Sequence, residues 1–196
     1  MSLIQNSTIA LDIGGVCIQL RHREMFEYFG WHDGPPPGVM EMSDRLEIGE
    51  IDAADWLREF HIYTDRRFSD EEIIHGWNIV IGPAMDGMPE LLGELKKQGF
   101  KLVFFSDTST IHVAQIYRDP VMASLIDAAV YSYEAGTKKP GRKMFETFEQ
   151  RHGKPAFYID DKVENIDGGL LYGWRSHRFT DVADLRRIIE KKPIVE

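Results

Sequence analysis

The chain has a single cysteine, Cys17, in 196 residues. No internal disulfide is possible, so stability must come from burial and hydrogen bonding. A lone cysteine fits a reducing compartment, and the expected location is cytoplasmic. In the first strand region Cys17 reads as a buried structural thiol rather than a nucleophile. Long apolar runs are also lacking: Leu102-Val103-Phe104-Phe105 has strand length, far short of a membrane span. The N-terminus carries neither the basic nor the long apolar region of a secretory signal. No basic block interrupts a formal net charge of −9, which argues against a nucleic-acid-binding surface. An acidic chain can still bind phosphate, because local groups set the potential inside a cleft. Repeats and low-complexity tracts are absent, which excludes solenoids and propellers. What remains is a globular protein without a membrane or nucleic-acid partner, expected as a monomer or homodimer.

A hydrophobic share of 43% with 28% charged residues is ordinary for such a protein. The length permits one core with a sizeable insertion. Residues 7–13 read as a short apolar strand that delivers Asp12 into the turn Gly14-Gly15. Residues 18–84 then change character and read as helical. A helix over 21–29 is stopped by Gly30, and Gly34-Pro35-Pro36-Pro37-Gly38 must be a loop. Asp52 is placed to cap a helix with Trp56, Leu57 and Phe60 on one face. Ser69 and Glu72 have capping-box spacing ahead of Ile73, Ile74 and Trp77.

From Met88 helix and strand patterns alternate. Helices are expected over 89–98, 111–117, 142–152 and 166–171, with a last one capped by Asp181. Strands are expected over 101–105, 128–131, 156–159 and near 174–179. Such alternation implies βαβ crossovers and a doubly wound, mostly parallel sheet. The fold class is therefore α/β, with a core of residues 1–17 and 85–196 and a helical insertion of residues 18–84.

Four polar positions fall at or just past C-terminal strand ends: Asp12, Ser106, Lys139 and the pair Asp160-Asp161. In a parallel sheet those ends face one crevice, so residues far apart in sequence converge there. Carboxylates from two strands, with no thiolate or histidine beside them, form a hard-oxygen site suited to Mg²⁺. A lysine and a hydroxyl nearby suit a phosphoryl group, whose spreading charge needs fixed positive partners. The set points to a carboxylate nucleophile.

These residues, in this order and spacing, resemble the four motifs of the haloacid dehalogenase superfamily, whose core is Rossmann-like. Asp12 matches the nucleophile, Ser106 the hydroxyl of the second motif, Lys139 before Pro140 the third, and Asp160-Asp161 with Asn165 the fourth. Gly49-Glu50-Ile51, His75-Gly76-Trp77, and Ser106-Asp107-Thr108 followed by His112 are similar to one branch. It holds bacterial α-D-glucose-1-phosphate phosphatases and the N-terminal phosphatase domain of soluble epoxide hydrolase. The resemblance implies that residues 18–84 form a cap over the site. It implies Mg²⁺ held by Asp12, the Gly14 carbonyl and Asp161, with Asp160 in support. Ser106, Asp107, Lys139 and His112 then contact phosphate or substrate, and Asp12, Ser106 and Lys139 carry the reaction. The substrate is a small phosphorylated metabolite, a sugar phosphate in this branch.

One position departs from the pattern. Phosphatases of the family usually carry a second Asp two residues after the nucleophile, and here that position is Gly14. Three function classes follow: a Mg²⁺-dependent phosphatase, a dehalogenase-type hydrolase, and a weak or non-catalytic binding protein. The paired carboxylates Asp160-Asp161 argue against the second. Trp56, Phe60 and Trp77 read as core of the insertion, and His75, Arg21, Arg23 and Arg45 as surface or structural residues within reach of a substrate.

Overall fold

Every residue of β1 (Thr8–Leu11) is buried, and that strand is the centre of the molecule. In the computed structural model, which describes residues 7–191, it is followed by a short strand β2 (Ile18–Leu20). Four helices come next: α1 (His22–Phe29), α2 (Val39–Glu47), α3 (Ala53–Tyr63) and α4 (Asp70–Asn78). Strand β3 (Ile81–Ala84) then returns antiparallel to β2. Alternation begins with α5 (Met88–Lys97), β4 (Lys101–Ser106), α6 (Thr110–Ile116), α7 (Pro120–Leu125) and β5 (Ala128–Tyr131). It continues through α8 (Ser132–Ala135), α9 (Arg142–His152), β6 (Phe157–Asp160), α10 (Val163–Leu171), β7 (Ser176–Arg178) and α11 (Val182–Lys191). The extreme ends of the expected core, residues 1–6 and 192–196, lie outside the described residues.

The main sheet has five parallel strands in the order β5-β4-β1-β6-β7. Side chains alternate across it, as the pleat requires. Ile9, Leu11, Leu102, Phe104 and Ile159 pack on one face with Leu91, Leu92 and Leu95 of α5 and Leu185 of α11. Ala10, Val103, Phe105 and Tyr158 pack on the other with Met144, Phe145 and Phe148 of α9. Both faces are covered, which explains why the strands read as continuous apolar runs. The sheet is the doubly wound one the alternation predicts.

The inserted helices have a separate cluster built on Met25, Phe29, Trp56, Phe60, Ile73 and Trp77. Asp52 caps α3 by accepting from the Asp55 amide at 2.8 Å, and Ser69 and Glu72 form the expected capping box. Four elements run against the sequence reading. Helix α2 starts from Gly38 at φ 89° with no side-chain cap, so no start signal marks it. Strands β2 and β3 are three and four residues long, and β3 contains Gly82-Pro83, which masks any strand pattern. Helix α7, directly after Asp119, uses Pro120 as a first-turn residue where the sequence suggests only a break. Cys17 is buried, and burial pushes its thiol pKa up, so it is inert at neutral pH. Among the described residues no helix is long and apolar enough to cross a membrane.

Candidate active site

The three central strands end side by side and each delivers a polar group. Asp12 follows β1, Ser106 ends β4 and Asp160 ends β6. Lys139 comes from the loop after α8, which α10 supports from behind. A Cβ on Gly168 would lie 2.5 Å from Pro140, so a glycine is needed for that close approach. All four side chains are buried.

Lys139 is the hub. Its Nζ lies 3.0 Å from Asp12 Oδ1 and 2.6 Å from Asp160 Oδ2, and donates to the Phe105 carbonyl at 2.8 Å. Burial alone would lower its pKa, but the negative charges of Asp12 and Asp160 hold it well above the usual lysine range. Asp160 is saturated by protein. Besides Lys139 it accepts from Tyr158 Oη at 2.6 Å, from Asn165 Nδ2 at 3.1 Å and from the Lys162 amide at 3.0 Å. Burial would raise its pKa, yet Lys139 and these bonds keep it below the ordinary value. Asp12 has fewer partners. Burial pushes it up to about 6, against the pull of Lys139 and with a further push from Asp160.

Asp161 completes a cluster in which one oxygen each from Asp12, Asp160 and Asp161 lie within 4.8 Å of one another. Its Oδ1 is buried without a hydrogen-bond partner, and burial followed by Asp160 raises its pKa. An orphaned carboxylate oxygen beside a second under-bonded carboxylate is what a hard cation would satisfy. Gly15 makes room for it. At φ +76° a Cβ there would lie 2.5 Å from Asp161 Oδ2. Gly14 is different: a Cβ would sit 3.1 Å from both methyl carbons of Leu20. A side chain at position 14 would thus crowd the methyl end of Leu20 from β2, which would have to give way.

These groups floor a cavity of about 400 Å³ roofed by the inserted helices, with Met25, Glu47 and Trp77 among its lining. Ser106, Asp107, His112 and Lys139 all line it, so the structure brings the sequence candidates together. Arg21, Arg23, Arg45 and His75 do not line it. Arg45 instead pairs with Glu50 and Glu59, each at 3.0 Å. Trp56 and Phe60 are core, whereas Trp77 serves both core and cavity. Asp107 turns its carboxylate into the loop: Oδ1 accepts from the Lys139 amide at 2.9 Å. Tyr158 and the pairing of Glu47 with Lys138 escape the sequence reading. Tyr158 stands two positions before Asp160, hence on the same strand face, and that spacing was the available signal. Glu47 and Lys138 meet only through the tertiary fold.

His112 is buried against Trp77, ring centroids 5.8 Å apart and nearly parallel. Burial lowers its pKa to about 4, outweighing its hydrogen bond to the Trp77 backbone. The ring is therefore neutral near pH 7 and brings no positive charge to a phosphate. The unfolded chain takes up this proton near the ordinary histidine value of 6.5, and the folded chain only near 4. Stability from this group is complete above that unfolded value and is lost as pH falls toward 4, by at most about 3 kcal/mol. Urea unfolding at pH 7.5 and pH 5 should show this loss, and His112→Gln should lose less across the same interval. Equal losses would refute the assignment.

Residues 7–173 match the family described as haloacid dehalogenase-like hydrolase. Among solved structures, a HAD family enzyme from Bacteroides thetaiotaomicron, in complex with magnesium and inorganic phosphate, superposes with a TM-score of 0.81. It is 21% identical, over 93% of this chain and 98% of that one. A predicted HAD-like family hydrolase from Porphyromonas gingivalis gives 0.78 at 18% identity, over 97% and 100%. A HAD phosphatase from Thermococcus onnurineus gives 0.64 at 16% identity, over 93% and 97%. At these identities the likeness is one of fold.

Proposed function

The chain belongs to the haloacid dehalogenase-like hydrolases, and we propose that it is a Mg²⁺-dependent phosphatase acting on a small sugar phosphate. The observation that carries this reading is the under-bonded Asp12 carboxylate, 3.0 Å from Lys139 on the cavity floor beside Asp161. The magnesium and phosphate bound by the Bacteroides relative point the same way. Residues 18–84 act as the cap that encloses the substrate.

In this reading an Asp12 oxygen forms a bond to phosphorus while the bond to the leaving oxygen breaks. The departing oxygen takes up a proton, and an aspartyl-phosphate remains. Water then attacks phosphorus, inorganic phosphate leaves, and the Asp12 carboxylate is restored. Lys139 stays charged throughout and offsets the negative charge gathering at the phosphoryl oxygens. Ser106 and the Asp107 amide supply further hydrogen bonds to them. Asp160 orients Lys139 and leaves the metal to Asp12, the Gly14 carbonyl and Asp161. Mg²⁺ held there would neutralise charge on the phosphate.

With Leu20 over Gly14, position 14 supplies no proton, a contribution worth about 10²–10⁴-fold elsewhere. The reading therefore favours a leaving group that departs readily, such as the anomeric oxygen of a sugar 1-phosphate. Phosphate release should require Mg²⁺ and run faster on glucose 1-phosphate than on glucose 6-phosphate. Equal rates would remove the anomeric preference, and silence over a broad panel would favour a non-catalytic role. Asp161→Asn should raise the Mg²⁺ concentration for half-maximal activity about tenfold or more, as metal-site lesions do.

A further inference from the structure

Beyond the strand ends, part of the cavity wall carries side chains that have no task in the reaction above. Asp44 and Glu47 come from α2, Asp107 from the loop after β4, His112 from α6 and Lys138 from the loop after α8. Lys138 Nζ lies 2.5 Å from Asp44 Oδ1 and 2.6 Å from Glu47 Oε2, so one ammonium group is divided between two carboxylates. Lys162 is the other cation of this wall, and among the described residues no arginine lines the cavity. The wall thus carries three carboxylates, that of Asp107 turned into the loop, against two ammonium groups.

Two further observations bear on what fits there. Burial pushes the Glu47 and Asp107 carboxyls up, and Glu47 feels Asp107 and Asp44 as well. Another anion in the cavity would meet groups whose own charge is already disfavoured. The neutral member of the wall, His112, uses one ring nitrogen on the Trp77 backbone, and its buried Nε2 has no protein partner. A neutral imidazole whose other nitrogen carries the proton offers a lone pair there. The wall is rich in acceptors, and its charge opposes a second anion.

We infer that this wall selects the leaving group: it accepts a neutral or cationic one rich in hydroxyl or ammonium donors, and rejects one bearing a carboxylate or second phosphate. Glu47 and Asp44 are the specificity-determining residues. The inference deepens the phosphatase reading, but binding alone can test it. Rejection by juxtaposed like charge is an effective source of specificity.

Three substrates differ mainly in charge away from the phosphate: glucosamine 1-phosphate, glucose 1-phosphate and glucuronic acid 1-phosphate. Their affinities for the full chain with Mg²⁺ can be measured by calorimetry in the Asp12→Asn protein, and turnover in the unsubstituted one. Glucuronic acid 1-phosphate is expected to bind about tenfold or more weakly than glucose 1-phosphate, with glucosamine 1-phosphate at least as tight. Glu47→Gln should narrow that gap about threefold, and Asp44→Asn, at a more exposed position, gives a second test should Glu47→Gln fail to fold. Equal affinities for the three sugars, or a gap untouched by either substitution, would overturn the inference. A charge-ordered series of affinities without turnover of any sugar would uphold the wall and overturn the phosphatase reading instead.

Discussion

Asp12→Asn is expected to reduce turnover about 10³-fold or more while the protein stays folded and becomes, without metal, no less stable. The amide keeps the size and shape of the carboxylate but cannot form the acyl phosphate. The stability half of the expectation comes from the raised pKa of Asp12, about 6 where the free side chain has 3.8. Between these values the unfolded chain releases a proton that the folded chain keeps, so stability falls as pH rises through that interval. Above about 6 both states are ionised and the cost is present in full. Asn does not carry it. Strain of this kind is common where a buried charge is kept for chemistry rather than for stability. Thermal melts near pH 7.5 should therefore show the variant at or above the unsubstituted protein without Mg²⁺. The order should reverse when Mg²⁺ is added, because the variant loses a ligand. A variant that melts well below the parent without metal would mean that Asp12 is a structural partner of Lys139. Turnover surviving the substitution would remove the nucleophile assignment.

The floor of the site could be read in the sequence because most of its groups end an apolar run. Asp12, Ser106 and Asp160 follow strands with buried faces, and chain direction in a parallel sheet sends them to one edge. Lys139 ends no such run and was marked instead by Pro140 directly after it, as in the third motif of the family the chain resembles. The wall carries no comparable signal. Glu47 ends a helix with no capping side chain, and its partner Lys138 lies in a loop of the core, so their meeting depends on how the insertion folds back. Leu20 is a similar case. It comes to lie beside Gly14 through the return of β3 alongside β2, a pairing of strands too short to leave a pattern. His112 could be singled out by sequence but not its charge state. Burial against Trp77 removes the charge that a phosphate contact would need.

Adjacent lysines should respond very differently to the same change. Lys139→Met is expected to destabilise the metal-free protein by about 3–5 kcal/mol near pH 7.5, the usual cost of stranding a buried charge. It leaves Asp12 and Asp160 without their shared cation, and both are almost fully buried. Lys138→Met should cost about 1 kcal/mol or less, because Asp44 and Lys138 remain in contact with water. Two conditions should shrink the Lys139→Met penalty. Lowering the pH lets Asp12 take up a proton, relieving the repulsion; its pKa, already raised, rises further without the lysine. Mg²⁺ would replace part of the lost positive charge at the Asp12 and Asp161 end of the cluster. A hydrophobic packing defect would respond to neither. Denaturant unfolding of the two variants at pH 7.5 and pH 5.5, with and without Mg²⁺, separates the cases. Equal penalties for the two lysines, or a Lys139→Met penalty independent of pH and metal, would show that charge balance is not what holds this floor together.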